Sequence, residues 1–258
     1  MSIASTLPPG AGNTITIDGI SVPFQPGQTI IDAALAANLY IPHLCHFPGL
    51  KPHGSCRLCT VECNGRPVSS CTQPAGSGQV ILNNTPALND ARRVITEMLF
   101  TEGNHICPSC SKSGDCTLQA MAYHLGMLHG NFAPFFPRRE LDASHPALVL
   151  DRDRCILCEL CVRASQEMDG KDVFAIAGRG TQARLIVNTE SGKLCDSNLD
   201  MNDLAAHICP VGAIMPKAHI NEIAPGKRTF DLHRIADIGT REMLLHHHRG
   251  WQTPEDPA

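Results

Sequence analysis

From Thr14 to Phe24 apolar and polar side chains alternate, Thr-Ile-Thr-Ile before an Asp18-Gly19 pair and Ile-Ser-Val-Pro-Phe after it. A period of two turns one face of each strand inward, and Asp-Gly is a two-residue turn, so the pattern predicts a β-hairpin. The period then lengthens. Ile30, Ile31, Ala34, Leu35 and Leu39 recur at three and four residues, which predicts a helix over 28–38 leading into Tyr40-Ile-Pro-His-Leu-Cys45. Thr60-Val61-Glu62 and 78–82 read as further strands. A hairpin, a helix and then a cysteine-bearing loop open a β-grasp unit.

After Pro86 the positions Leu88, Ala91, Val94, Ile95, Met98 and Leu99 keep helical spacing and stop near Gly103, so a new unit begins there with a helix. A second helix is predicted from Cys116 to His129. The stretch 131–139 has two prolines and no period and reads as a linker; Leu148 to Asp151 reads as a short strand. These breaks divide the chain into units 1–86, 87–139 and 140–220, with a C-terminal extension and tail over 221–258, an α+β arrangement overall. The last residues, 250–258, have the composition of a disordered tail.

Composition sharpens this picture. Only 4% of the 258 residues are aromatic, which leaves aliphatic packing and something else to hold three small units together. A net charge of -4 without a long Lys/Arg run argues against nucleic acid or an anionic membrane as the main partner, and for proteins. The first ten residues have neither a basic nor an apolar leader pattern, and no apolar run approaches the ~20 residues of a membrane span. The expected location is cytoplasmic. There, thirteen cysteines at short regular spacings are metal ligands or redox groups rather than disulfides, and an odd number cannot pair off.

Three groups stand out. Cys45, Cys56, Cys59 and Cys71 follow the spacing C-x10-C-x2-C-x11-C. Two thiolates on a tight loop can grip one iron and two distant ones the second iron of a [2Fe-2S] unit; four thiolates also suit tetrahedral zinc. Cys107, Cys110 and Cys116 supply three thiolates, so a cubane needs a fourth ligand. His105 is the nearest candidate, with His124 and His129 as substitutes, and an imidazole in place of a thiolate raises a cluster's potential. Cys155, Cys158 and Cys161, with Cys209-Pro210 far downstream, repeat the ligand pattern of a bacterial-ferredoxin [4Fe-4S] cluster. Val162-Arg163-Ala164-Ser165 stands where a second cubane's ligands would follow, so a single cubane fits. Cys63 and Cys195 are left over.

No catalytic site is evident, and no catalytic residue is assigned. Gly178-Arg-Gly180-Thr-Gln-Ala183 matches a loose nucleotide-binding fingerprint, but a strand pattern over 184–189 follows it where the fingerprint requires a helix. The run His246-His247-His248 reads as a solvated face.

On these cysteines the sequence resembles the N-terminal iron-sulfur region of the complex I large-subunit family, shared with iron-only hydrogenases. That resemblance implies one [2Fe-2S] cluster on Cys45, Cys56, Cys59 and Cys71. It implies two [4Fe-4S] clusters, one on a His with Cys107, Cys110 and Cys116, the other on Cys155, Cys158, Cys161 and Cys209. The family places that His four residues before the first Cys of the second module; here that position is Gly103, and His105 lies two before. The chain ends 49 residues past Cys209. In that it resembles the iron-sulfur diaphorase (gamma) subunits of cytoplasmic NAD-reducing nickel-iron hydrogenases. The implied role is electron transfer between the large and small hydrogenase subunits and a flavin- and NAD-binding diaphorase subunit. The alternatives are the equivalent subunit of a formate dehydrogenase, an electron-bifurcating iron-only hydrogenase or a complex I-like enzyme, and a zinc-stabilised structural adaptor.

Overall fold

The computed structural model describes residues 13–218 and 223–240; the histidine run 246–248 and the tail 250–258 lie outside them. Strands β1 (Thr14–Ile17) and β2 (Ile20–Pro23) form the expected hairpin. Asp18 and Gly19 have φ of 48° and 85°, the doubly left-handed turn whose twist matches the strands it joins. Helix α1 (Ile30–Ala36) is shorter than its sequence pattern, because Thr29 caps it: the Thr29 hydroxyl accepts from the Asp32 amide while the Asp32 carboxylate accepts from Thr29 N–H. Strands β3 (Thr60–Cys63), β4 (Arg66–Ser69) and β5 (Val80–Leu82) complete one sheet. Its order is β2-β1-β5-β3-β4, with β1 and β5 parallel and the other neighbours antiparallel. Ile15, Ile17, Val22, Val61 and Ile81 face Ile30, Ile31, Ala33 and Ala34 of α1 in a core that contains no buried aromatic residue.

Helix α2 (Pro86–Glu102) starts at Thr85, whose hydroxyl accepts from Leu88 N–H, with Pro86 in the first turn. Its inward face is not the apolar stripe that the spacing suggests. Arg92, Thr96, Glu97 and Thr101 are buried, while Val94 and Met98 are exposed. Arg92 and Glu97 turn inward because each has partners outside the helix. Arg92 donates to the carbonyls of Leu58, Thr60 and Asn83 at 3.0, 2.8 and 2.7 Å, fastening α2 to the first unit. Glu97 accepts from the Asn131 and Phe132 amides and holds the linker. Helix α3 (Thr117–His124) ends five residues before the expected His129, since Leu125 is its cap and Gly126 turns with φ 68°.

The third unit is built from β6 (Leu141–Asp142), β7 (Leu148–Asp151) and β10 (Ile214–Pro216), antiparallel in the order β10-β7-β6, with a separate hairpin of β8 (Phe174–Ala177) and β9 (Arg184–Val187). Helix α4 (Leu160–Arg163) follows the cysteine loop and runs on as a π-helical turn over Ala164–Met168. Strand β9 stands where a nucleotide-binding helix would have to begin, as the sequence pattern required. Helices α5 (Thr229–Leu232) and α6 (Ile235–Ile238) were not expected. They lie against the second unit: Phe230 N–H donates to Gly114 O at 2.8 Å, and Arg228 donates to Ser111 O and Ser113 O at 2.9 and 2.5 Å. A second core joins α3, the third unit and the loop residues Leu44, Phe47, Leu50 and Leu58 of the first. No helix among the described residues is long and apolar enough to cross a membrane.

Candidate metal centres

Pro42, Pro48 and Pro52 keep the loop between α1 and β3 out of regular structure. Polar ties shape it instead: His43 Nδ1 lies 2.7 Å from Ile41 O, and His46 Nε2 lies 3.3 Å from Asp32 of α1. Cys45 Sγ accepts from the Cys56 amide at 3.3 Å, and Cys59 Sγ lies 3.3 Å from Cys71 Sγ. The fold therefore pairs Cys45 with Cys56 and Cys59 with Cys71. The x2 spacing alone suggested that Cys56 and Cys59 share an iron. Arg57, at φ 61°, turns the chain between them, sending Cys56 back to Cys45 and Cys59 on to Cys71. In each pair one thiol is held below its ordinary value by the other's hydrogen bond (Cys45, Cys59) and the partner is pushed up by that bond and by burial (Cys56, Cys71). A metal cation bound by such a couple displaces its thiol protons to solvent. The two pairs belong to different cores: Cys59 and Cys71 pack in the first, Cys45 and Cys56 in the second.

In the second group Cys107 opens a 3₁₀ turn (Cys107–Ser109) and Cys116 caps α3, with Gly114 at φ 81° closing the loop between them. Burial pushes the Cys116 thiol up to about 12; burial, then the neighbouring Cys110, raises Cys107. The His105 ring packs edge-on to Phe100 at 5.4 Å and lines one cavity of about 310 Å³ with Cys107. Its Nε2 is enclosed and has no hydrogen-bond partner. Burial, then the charges of Arg154 and Arg139, pushes this imidazole down to about 4, so it is held as a neutral ring with a free lone pair. A Cβ on Gly103 would stand 2.6 Å from His105 Nε2, so the ring occupies the space into which a side chain at position 103 would project. His124 instead meets Tyr40 edge-on at 5.5 Å, and His129 lines the same cavity as His105 from an exposed position.

Cys155, Cys158, Cys161 and Cys209 line one small enclosed cavity between α4 and the start of β10, walled by Ile176, Leu185, Val211 and Ile214. Leu157 and Glu159 take left-handed φ of 53° and 58°, which turns three closely spaced side chains to one side. Burial pushes all four thiols up, Cys155 to about 11. As thiolates they need a cation within the cavity, and the four sulfurs around it are the ligands it offers. Of the spare cysteines, Cys63 is buried at the end of β3 and Cys195 is exposed. All thirteen are free of disulfides.

The arginines are what reading the sequence missed. Arg92 and Arg163 lie between units, and their one signal, a basic residue within or beside an apolar or cysteine-bearing stretch, does not say which carbonyl each will reach.

Three family models match the chain. A 2Fe-2S iron-sulfur cluster binding domain matches residues 13–86, the NADH-ubiquinone oxidoreductase-G iron-sulfur binding region matches 92–130, and the ferredoxin-like domain of NADH-quinone oxidoreductase subunit 3 matches 145–215. The gamma subunit of the NAD-reducing hydrogenase HoxS of Cupriavidus necator is 36% identical over 86% of this chain and 94% of its own length. The alpha subunit of the NADPH-Fe(3+) oxidoreductase of Geobacter sulfurreducens is 32% identical, and the mitochondrial 78 kDa subunit of NADH-ubiquinone oxidoreductase of Candida albicans 31%. This chain covers 79% and 88% of itself in those alignments but spans only 24% and 32% of their lengths. A chain in the crystal structure of an H2-reduced NAD+-reducing [NiFe]-hydrogenase matches with a TM-score of 0.86 at 52% identity, covering 90% of this chain and 98% of that one.

Proposed function

This chain belongs to the family of the gamma subunits of NAD-reducing hydrogenases, and we propose that it is an iron-sulfur subunit that carries electrons between a nickel-iron hydrogenase module and a flavin- and NAD-binding diaphorase subunit. The observation that carries this reading is the convergence of Cys155, Cys158, Cys161 and Cys209 on one small apolar cavity. We assign Cys45, Cys56, Cys59 and Cys71 to a [2Fe-2S] cluster, with Cys45 and Cys56 on one iron. His105, Cys107, Cys110 and Cys116 hold one [4Fe-4S] cluster, and Cys155, Cys158, Cys161 and Cys209 another. Clusters of this kind supply reversible one-electron storage.

The chain's own residues do the rest. Apolar walls around the third set exclude water, the Cys45–Cys56 and Cys59–Cys71 couples present thiolates in pairs, and neutral His105 offers its orphaned Nε2 as the ligand that three cysteines leave wanting. His105 stands in for the family's His because Gly103 leaves its space open. On this reading residues 1–86 are a β-grasp unit, 87–139 the His/Cys3 module, 140–220 a ferredoxin-like unit, and 221–258 an extension of which Arg228 and Phe230 pack on the second. No residue of the chain is assigned a bond-making role. Thirteen unpaired cysteines fit a reducing, cytoplasmic setting.

Anaerobic purification of the chain with its partners, metal and sulfide analysis, and low-temperature EPR test the proposal. About ten irons per chain with one [2Fe-2S] and two [4Fe-4S] signals, and nickel in the complex, are expected. Molybdenum, tungsten or an iron-only site in place of nickel overturns the partner assignment, and stoichiometric zinc without iron overturns the electron-transfer reading. For the ligand, His105→Ala alters the spectrum and potential of one cubane; an unchanged cubane removes His105 from the set.

A further inference from the structure

Arg163 closes α4 two residues after Cys161 and is buried, with 8% of its surface exposed. Its guanidinium reaches out of the third unit. Nη2 donates to the carbonyl of Cys45 at 2.6 Å and lies 3.5 Å from that of Cys158, while Nη1 donates to Lys51 O at 2.8 Å. Nε, on the same edge as Nη2, is enclosed and has no partner. Among the described residues no carboxylate lies within ion-pair distance. A buried guanidinium facing only carbonyls is costly unless negative charge lies close by. What it does face is the backbone of two ligand residues, Cys45 on one side and Cys158 on the other, whose clusters carry that negative charge on the assignment above.

Two neighbours give the comparison that isolates this role. Glu167, one turn on, accepts from Lys51 N–H at 2.8 Å, and Glu159 lies 3.4 Å from His53. Both fasten the same two units together, yet neither touches a ligand residue's backbone across the junction. Arg92, by contrast, crosses into the first unit with its donors taken up by carbonyls and the Asn83 and Asn89 side chains.

We propose that Arg163 is a positioning residue for electron transfer: it ties the Cys45 loop to the Cys158 loop and places one buried positive charge between the first and third metal centres, raising the reduction potential of both. This rests on the cluster assignment above. Positive charge beside a centre favours the added electron, and because one guanidinium serves both centres, its removal lowers both potentials together.

The test is an EPR-monitored redox titration of the assembled complex carrying Arg163→Gln, Arg163→Lys or Glu167→Gln. In Arg163→Gln the [2Fe-2S] centre and the cubane on Cys155, Cys158, Cys161 and Cys209 each become at least tenfold harder to reduce, about 59 mV for a one-electron couple. The His105 cubane stays where it was. Arg163→Lys, which keeps the charge, recovers most of that shift, and Glu167→Gln moves neither centre. Unchanged potentials in Arg163→Gln at full iron content overturn the proposal, as does an equal shift in Glu167→Gln. Should Arg163→Gln fail to assemble, Arg163→Lys decides: wild-type potentials support the charge role, and lowered ones overturn it. Absence of both signals from the wild type would count against the cluster assignment rather than against Arg163.

Discussion

The first and second units solve the problem of stability differently. The five-stranded sheet and α1 have a core of their own, in which Ile15, Ile17, Val22, Ile30, Ile31, Val61 and Ile81 are each at most 2% exposed. Helices α2 and α3 have none: α3 packs into the core of the third unit, and α2 turns Arg92, Thr96, Glu97 and Thr101 inward. One unit is held by burying aliphatic surface, the other by hydrogen bonds to its neighbours and, on our reading, by metal ligation. A unit of the first kind folds whether or not iron is present; a unit of the second kind depends on what it is fastened to.

Iron removal should separate the two most sharply. After anaerobic chelation, hydrogen exchange should lose its protection over 104–116 and 155–161 while β1, β3 and β5 stay protected; uniform loss, or uniform retention, would erase the distinction. Next in size is Arg92→Ala, which leaves the carbonyls of Leu58, Thr60 and Asn83 without their donor and should cost about 3–5 kcal/mol in chemical denaturation. Its damage should fall on the junction, so α2 should lose exchange protection before the sheet does. Leu118→Ala opens a cavity in the shared core and should cost about 3 kcal/mol, with the [4Fe-4S] signals lost at lower denaturant than the [2Fe-2S] signal. The smallest effect is expected at Gly19→Ala. Its φ of 85° makes any side chain costly, by about 1 kcal/mol, and the loss should be confined to the β1–β2 hairpin, leaving the cubane signals untouched.

Legibility along the chain followed the same division. The hairpin at Asp18-Gly19 and the start of α2 at Thr85-Pro86 are local events, encoded by turn and cap residues, and both were readable. The end of α3 differs from the expected one because apolar residues continue past it, as Leu125 and Met127, although the helix stops at His124 and Gly126 turns the chain. Val94 and Met98 kept helical spacing, yet they face outward, since α2 is oriented by where Arg92 and Glu97 find carbonyls and amides far away in sequence. Helices α5 and α6 gave no pattern long enough to read; α5 is held by Arg228 and Phe230 on the loop of the second cysteine group, and α6 by Ile235 in the shared core.

The candidate site divides in the same manner. Cysteine spacing by itself marked out three candidate ligand groups, because thiols a few positions apart on one loop stay close in space whatever the fold. Tertiary structure decided which thiols of the first group stand together, that the His105 ring lies over Gly103, and that Arg163 spans two cysteine loops. Those contacts join residues up to 118 positions apart. Short-range spacing carries no record of the Arg163 contacts, since they arise only when buried backbone carbonyls from separate units are brought together and must find a donor.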